Sequence, residues 1–290
     1  MRDQASKLRA LANDATVNIV NKPDKGPRII TVTSGKGGVG KTNFVVNLGL
    51  SLAKLKQQVV IFDADLGLSN VDVLMGINPP GNLYDLLFNN KNIEDIIAKG
   101  PKNLRFISGG SGFHELSNLD QTQRQNLINS LNYFQNETDF LFIDTGAGIS
   151  KNVLGFVAAA EEVIVIVTPE PTSLADAYSL IKIMSKFNVQ SEVSLIVNMA
   201  ADKREAQQTA DKIIMVANRF LQIKVTHLGY VCMDPVVSQA VKSQNPFVLS
   251  YPYSSASKSL SNIAENMING FQQPVKGIGG FIGKLLSLFG

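Results

Sequence analysis

Two hydrophobic rhythms alternate along the chain. Five short segments are apolar almost throughout: Ile29 to Val32, Val59 to Phe62, Phe140 to Ile143, Val163 to Val167 and Val193 to Val197. Runs of this length without polar alternation are the pattern of strands buried on both faces of a parallel sheet. Between them the apolar residues fall three and four apart, as in Phe44, Val45, Leu48, Leu52 and Leu55, and in Leu127, Ile128, Leu131 and Phe134. That spacing gathers side chains on one face of a helix. Helices are also predicted over 173–187, 204–221, 234–243 and 255–270, with short surface helices at Val71 to Ile77 and Leu83 to Phe88. Asn103 to Ser108 and Thr226 to Val231 read as further strands. The alternation predicts an α/β fold, a mostly parallel central β-sheet with helices on both faces.

The two ends break this rhythm, dividing the chain into an arm (1–27), a body (28–273) and a tail (274–290). In the arm, Asp3 can cap a short amphipathic helix whose Ala5, Leu8, Leu11 and Ala12 share a face. Asn18 to Pro27, with Pro23, Gly26 and Pro27, reads as a linker. Such a helix is marginal alone, so the arm is either free until something binds it or packed on the body. In the tail, Ile278, Phe281, Ile282, Leu285, Leu286 and Phe289 form one continuous apolar stripe. Its glycines cost roughly 1 kcal/mol each relative to alanine, so the helix needs a surface on which to fold. An anionic lipid interface is the first expectation and the chain's own core or a partner subunit the second.

Composition narrows the picture. At 290 residues and 44% hydrophobic content the chain can fill one large α/β core. No apolar run approaches the roughly 20 residues of a membrane-spanning helix, and Met1 to Gln4 lack a secretory apolar centre. The expected location is therefore the cytoplasm. The single Cys232 excludes an intramolecular disulfide and any metal site of paired cysteines. Net charge is +3, with +2 in the arm and +2 in the tail, leaving a body near −1. A near-neutral body gives little support to sequence-independent DNA binding.

Chemistry concentrates where the apolar runs end. Gly35-Lys36-Gly37-Gly38-Val39-Gly40-Lys41-Thr42 satisfies every fixed position of GxxxxGK[ST], between a predicted strand and a predicted helix. Its glycines let successive amides turn toward a polyphosphate, and the helix N-terminus adds free donors. Lys41 can reach the β- and γ-phosphates of ATP, and Thr42 can offer its hydroxyl to Mg²⁺. The next strand ends in Asp63 and Asp65, and another ends in Asp144 before Gly146 and Gly148. Carboxylates there would repel a triphosphate unless a cation lies between them. Asn198 ends a later strand, where its amide can pair with adenine or cap a turn.

The motif with Lys36 after Gly35, KGGVGKT, resembles the deviant Walker A loop of the MinD/ParA ATPases, and the similarity extends over 28–270. Asp63 to Asp72 and Asp144 to Gly148 resemble that family's two switch segments, and the tail resembles its membrane-targeting helices. The arm, Asp3-Gln4-Ala5-Ser6-Lys7-Leu8-Arg9, is similar to the DQAxxLR arm of the family's flagellar branch, FlhG (also YlxH or FleN). This resemblance implies a slow, switch-like ATPase that forms an ATP-dependent homodimer, peripheral on the inner face of the cell membrane. Lys41, Thr42, the loop glycines, Val39 and Asn43 would hold ATP and Mg²⁺, and Asn198 and Pro235 would complete the nucleotide site. Lys36 would reach the partner's phosphates, Asp63 and Asp144 would support the metal, and Asp65 would orient the attacking water. Asn43 departs from the pattern, since many relatives carry a second threonine there. Asp3, Gln4, Leu8 and Arg9 would stimulate an FlhF-type GTPase, and flagellar switch (C-ring) proteins or a flagellar transcription regulator would be further partners. A MinD-type division-site ATPase and a ParA-type DNA-partitioning ATPase are the alternatives.

Overall fold

The structure is a computed structural model that describes residues 26–65, 70–110, 112–116, 119–270 and 277–289. The arm residues Asp3, Gln4, Leu8 and Arg9 lie outside the described residues. The strands are β1 Arg28–Thr33, β2 Val59–Ala64, β3 Ala98–Lys99, β4 Arg105–Ser108, β5 Phe140–Thr145, β6 Glu162–Val167, β7 Glu192–Ala200 and β8 Lys224–Cys232. They form one sheet in the order β3-β4-β2-β5-β1-β6-β7-β8. Every pairing is parallel except β3 with β4. In a parallel sheet the C-terminal ends of the strands share an edge, so Thr33, Asp63, Asp144, Val167 and Asn198 converge there.

Twelve helices cover the two faces among the described residues: α1 Lys41–Lys54, α2 Val71–Met75, α3 Leu83–Phe88, α4 Gly112–Glu115, α5 Gln121–Leu131, α6 Lys151–Ala159, α7 Pro171–Lys186, α8 Lys203–Phe220, α9 Pro235–Lys242, α10 Phe247–Ser250, α11 Ser255–Asn269 and α12 Gly277–Phe289. One layer packs α1, α10 and α11 on the sheet and the other packs α5 to α8 and α12. Helix α1 is buried nearly all round, including Asn47 and Ser51, which fits a helix walled in by sheet and helices. Asn47 earns its place by accepting the Val248 amide hydrogen at 3.1 Å and donating to Asn43 Oδ1 at 2.9 Å.

Four elements escaped the sequence pattern, among them α4 and α10, each of four residues and too short for a period to show. β3 is only two residues long, too short for any period to show. α6, read KNVLGFVAA, does carry a face in Val153, Phe156 and Val157, but over only nine residues. Ser150 caps it by accepting the Val153 amide hydrogen at 3.3 Å.

The tail has its predicted helix but not its first-expected surface. Ile278, Phe281, Ile282, Leu285, Leu286 and Phe289 are each at most 6% exposed, packed against α5, α6 and the rest of the core. Leu288 is buried too, beyond the predicted stripe. A stripe this apolar has a better partner in Phe62, Leu83, Leu127, Leu131 and Phe156 than in water, and the groove they line receives it. In this conformation the surface that folds the helix is the chain's own, the second of the two expected. Its last turn sits on α6, where a Cβ on Gly155 would stand 2.7 Å from Phe289 Cζ. Lys151 Nζ lies 5.9 Å from the centre of the Phe289 ring, a cation–π contact. Arg124 of α5 donates to the Leu286 carbonyl at 3.4 Å, near the carbonyl end of the helix dipole.

Candidate nucleotide site

The loop between β1 and α1 has backbone conformations that side chains resist. Gly38 and Gly40 have φ of +78° and +86°, and Gly40 precedes the first residue of α1. Gly35 passes so close to α7 that a Cβ would lie 2.2 Å from the Asp176 carbonyl carbon. Two polar contacts brace the loop: Ser34 Oγ donates to the Lys36 carbonyl at 2.7 Å, and Asn198 Nδ2 donates to the Val39 carbonyl at 2.7 Å. Asn198 is thus a brace of the loop through one hydrogen of its amide. Asn43 turns its side-chain oxygen along α1 to Asn47, and Pro235 opens α9 behind its cap, Asp234.

Lys41 is buried, and burial pushes its pKa below the usual lysine value, against the attraction of Asp144 and Asp65. Asp144, at the end of β5, is fully buried, and neither of its oxygens has a well-formed hydrogen bond. Its pKa is pushed up to about 7 by burial and by the charge of Asp63, while Thr42 and Lys41 pull it back. An orphaned buried carboxylate is costly and calls for a cation. Among the described residues no cluster of three or more His, Cys, Asp or Glu could hold a metal unaided. Asp144 beside Thr42 instead fits Mg²⁺, which keeps few protein ligands and takes the rest from phosphates and water.

Asp63 and Asp65 have different employment. The Asp63 carboxylate accepts amide hydrogens from Asp65 at 3.2 Å, Asn70 at 2.8 Å and Val71 at 3.1 Å. It ties Asp65 to the start of α2, so in this conformation the carboxylate serves as an anchor for the backbone on either side. Asp65 accepts from Asn70 Nδ2 at 3.5 Å and lies against Gly146, where a Cβ would meet Asp65 Oδ1 at 3.4 Å. The second switch segment is tied to the phosphate loop directly: the Gly148 amide, at φ +92°, donates to the Ser34 carbonyl at 2.8 Å.

Lys36 is engaged by the segment that follows β6. Its ammonium donates to Glu170 at 2.9 Å and to Thr172 Oγ1 at 3.0 Å, across the rim of the site. Glu170 and Thr172 were missed as site residues. The polar stretch Thr168-Pro169-Glu170-Pro171 at the end of β6 was the available signal, though nothing in one sequence links it to Lys36.

The family described as ParA: NUBPL iron-transfer P-loop NTPase matches residues 26–268. The chain is a P-loop ATPase of the ParA/MinD family. Iron transfer belongs to that family's description, whereas this member has one cysteine. Among relatives, the antiactivator FleN of Pseudomonas aeruginosa is 38% identical over 83% of this chain and 86% of its own. The flagellum site-determining protein YlxH of Helicobacter pylori is 30% identical across the full length of both. The fold is shared with the septum site-determining protein MinD from Pyrococcus horikoshii, solved with Mg-ADP, at a TM-score of 0.66 and 23% identity, covering 86% of this chain and all of that one. The strand–loop–helix geometry around Gly35 to Thr42 is what a ParA/MinD ATPase requires for its nucleotide. No helix among the described residues is long and apolar enough to cross a membrane.

Proposed function

We propose that this ParA/MinD ATPase is a nucleotide-timed switch that regulates flagellar number or placement by moving between a tail-docked monomer and a membrane-bound homodimer. The observation that carries the reading is the seat of Phe289 on α6, a helix that begins at Lys151, with two residues between it and the switch segment Asp144 to Gly148. That segment is bonded to the phosphate loop through Gly148 and Ser34, so a shift at the phosphates moves the platform on which the tail rests. The names of the FleN and YlxH relatives supply the flagellar context.

In this scheme the amides of the loop and Lys41 bind the β- and γ-phosphates of ATP. Thr42 and Asp144 hold Mg²⁺, which offsets phosphate charge when bound. Lys36 leaves Glu170 and crosses to the partner's phosphates, so the dimer depends on the triphosphate to separate two lysine-bearing loops. Asp63 holds Asp65 and the start of α2 together, and Asp65, against Gly146, orients the attacking water. The dimer presents two released tails, and two weak anchors on anionic lipid hold far better than one. Hydrolysis ends that state. The arm, through Gln4, stimulates a signal-recognition-type GTPase of the FlhF kind.

Co-sedimentation with anionic vesicles and with DNA, in ATP, ADP or no nucleotide, tests the scheme. The expected result is vesicle binding in ATP alone, with no DNA binding. ATP-dependent DNA binding would favour a partitioning ATPase. For the arm, a peptide of residues 1–20 should accelerate the GTPase, and a Gln4→Ala peptide of equal potency would refute that assignment.

A further inference from the structure

We propose that Gly26, at the root of the N-terminal arm, and the first turn of the tail helix form a single junction on Gln135, so that undocking the tail also loosens Gly26. Gln135 closes the turn that follows α5, and its Oε1 accepts the Ile278 amide hydrogen at 2.8 Å. That amide belongs to the first turn of α12, whose donors have no partner within the helix. Gly277 stands beside it at φ +74°, and a Cβ there would lie 2.7 Å from Gln135 Nε2 and 3.0 Å from Oε1. Gly26, the residue through which the arm joins the body, is at the same place. A Cβ on Gly26 would lie 2.6 Å from Gln135 Nε2 and 3.1 Å from Gly277 Cα.

Two glycines far apart in sequence therefore share one side chain with no room for a methyl group between them. When α12 leaves its groove, Gly277 withdraws from Gly26 and Gln135 loses the amide that fixes its orientation. Gly26 then loses its neighbour in the tail and is held through Pro27 to β1, where the Arg28 amide donates to the Asp139 carbonyl at 2.9 Å. Coupling of this kind is reciprocal, so a disturbance at Gly26 must also weaken the docking of α12. Release of the tail and loosening of the chain at Gly26 become one event. The inference takes from the proposed function only that the tail can leave.

The test uses the full chain without nucleotide or lipid. Gly26→Val suits an extended residue before Pro27, so its effect comes from bulk at the junction. Amides 278–289 should exchange about tenfold faster in this variant, the signature of easier local opening. In the other direction, Leu286→Ser with Phe289→Ser undocks the helix at its far end, at least about 13 Å along the axis from Gly277. Tryptic cleavage after Lys25 should then quicken about tenfold, because a cleaved segment must first come free. Unchanged exchange of 278–289 in Gly26→Val overturns the proposal. So does a double variant whose tail exchanges freely while cleavage after Lys25 keeps its original rate. A loosened tail that fails to bind anionic vesicles counts against the membrane reading alone and leaves the junction standing.

Discussion

The nucleotide edge and the tail groove are opposite solutions to burial. At the edge, polar groups are buried without full partners: Asp144 has no well-formed hydrogen bond and Lys41 is desolvated. In the groove, apolar groups are buried with every partner they need, from Ile278 to Phe289. The edge gains stability from whatever supplies charge and donors, and the groove loses it when its occupant leaves. A switch results when the first change drives the second, and α6 connects them. The energies allow it. Burying each large apolar side chain gains about 1.5–3 kcal/mol, ordering each residue's backbone costs about 1–2 kcal/mol, and over so short a glycine-rich helix the two nearly offset.

The comparison breaks first at its polar end. Lys41→Ala removes the one cation buried with Asp144 and should cut ATP hydrolysis about a hundredfold or more, measured as phosphate release. Asp65→Ala should also stop hydrolysis, but by trapping an ATP dimer on anionic vesicles; hydrolysis at the original rate would end the role given to Asp65.

The contrast also marks what the sequence makes legible. The parallel sheet shows as runs of Ile, Val and Phe, and the site shows because strand-end aspartates and glycines follow those runs. Asp63 was legible as a strand-end carboxylate but not as a backbone anchor, since three amides engage it only in three dimensions. Asn198 was placed at the correct strand end, yet its partner is a carbonyl 159 positions away in the chain. The tail's helix and stripe follow from local spacing. Its groove does not, because the socket is Gly155, and a missing side chain leaves no hydrophobic signature.

Asp144 offers a prediction with a definite sign. Its pKa is raised from 3.8 to about 7 in the folded protein, so folding favours the protonated acid. That contribution is fully present below about pH 4 and is lost as pH rises through about 7. Asp144→Asn should therefore stabilise the nucleotide-free protein by about 2–4 kcal/mol at pH 8, with the gain vanishing near pH 4. Urea unfolding across that range reads it, and the same variant should lose the added stability that Mg-ATP gives the native sequence.

A smaller effect is expected at the rim. The Glu170 side chain is 65% exposed, so its ion pair with Lys36 is screened by solvent. Glu170→Gln should lower the ATP concentration needed for dimerisation only about two- to fivefold, as followed by light scattering. An effect of a hundredfold would mean that the pair is a true lock rather than a resting place for Lys36.

The central claim is that the triphosphate at the sheet edge empties the groove. Hydrogen exchange of residues 277–289 in the Asp65→Ala protein, with ATP and with ADP and without lipid, tests it most directly. The account predicts slow exchange in ADP, as α12 stays docked, and rapid exchange in ATP. Equal protection of α12 in both nucleotides, in a protein shown to be dimeric with ATP, would contradict it.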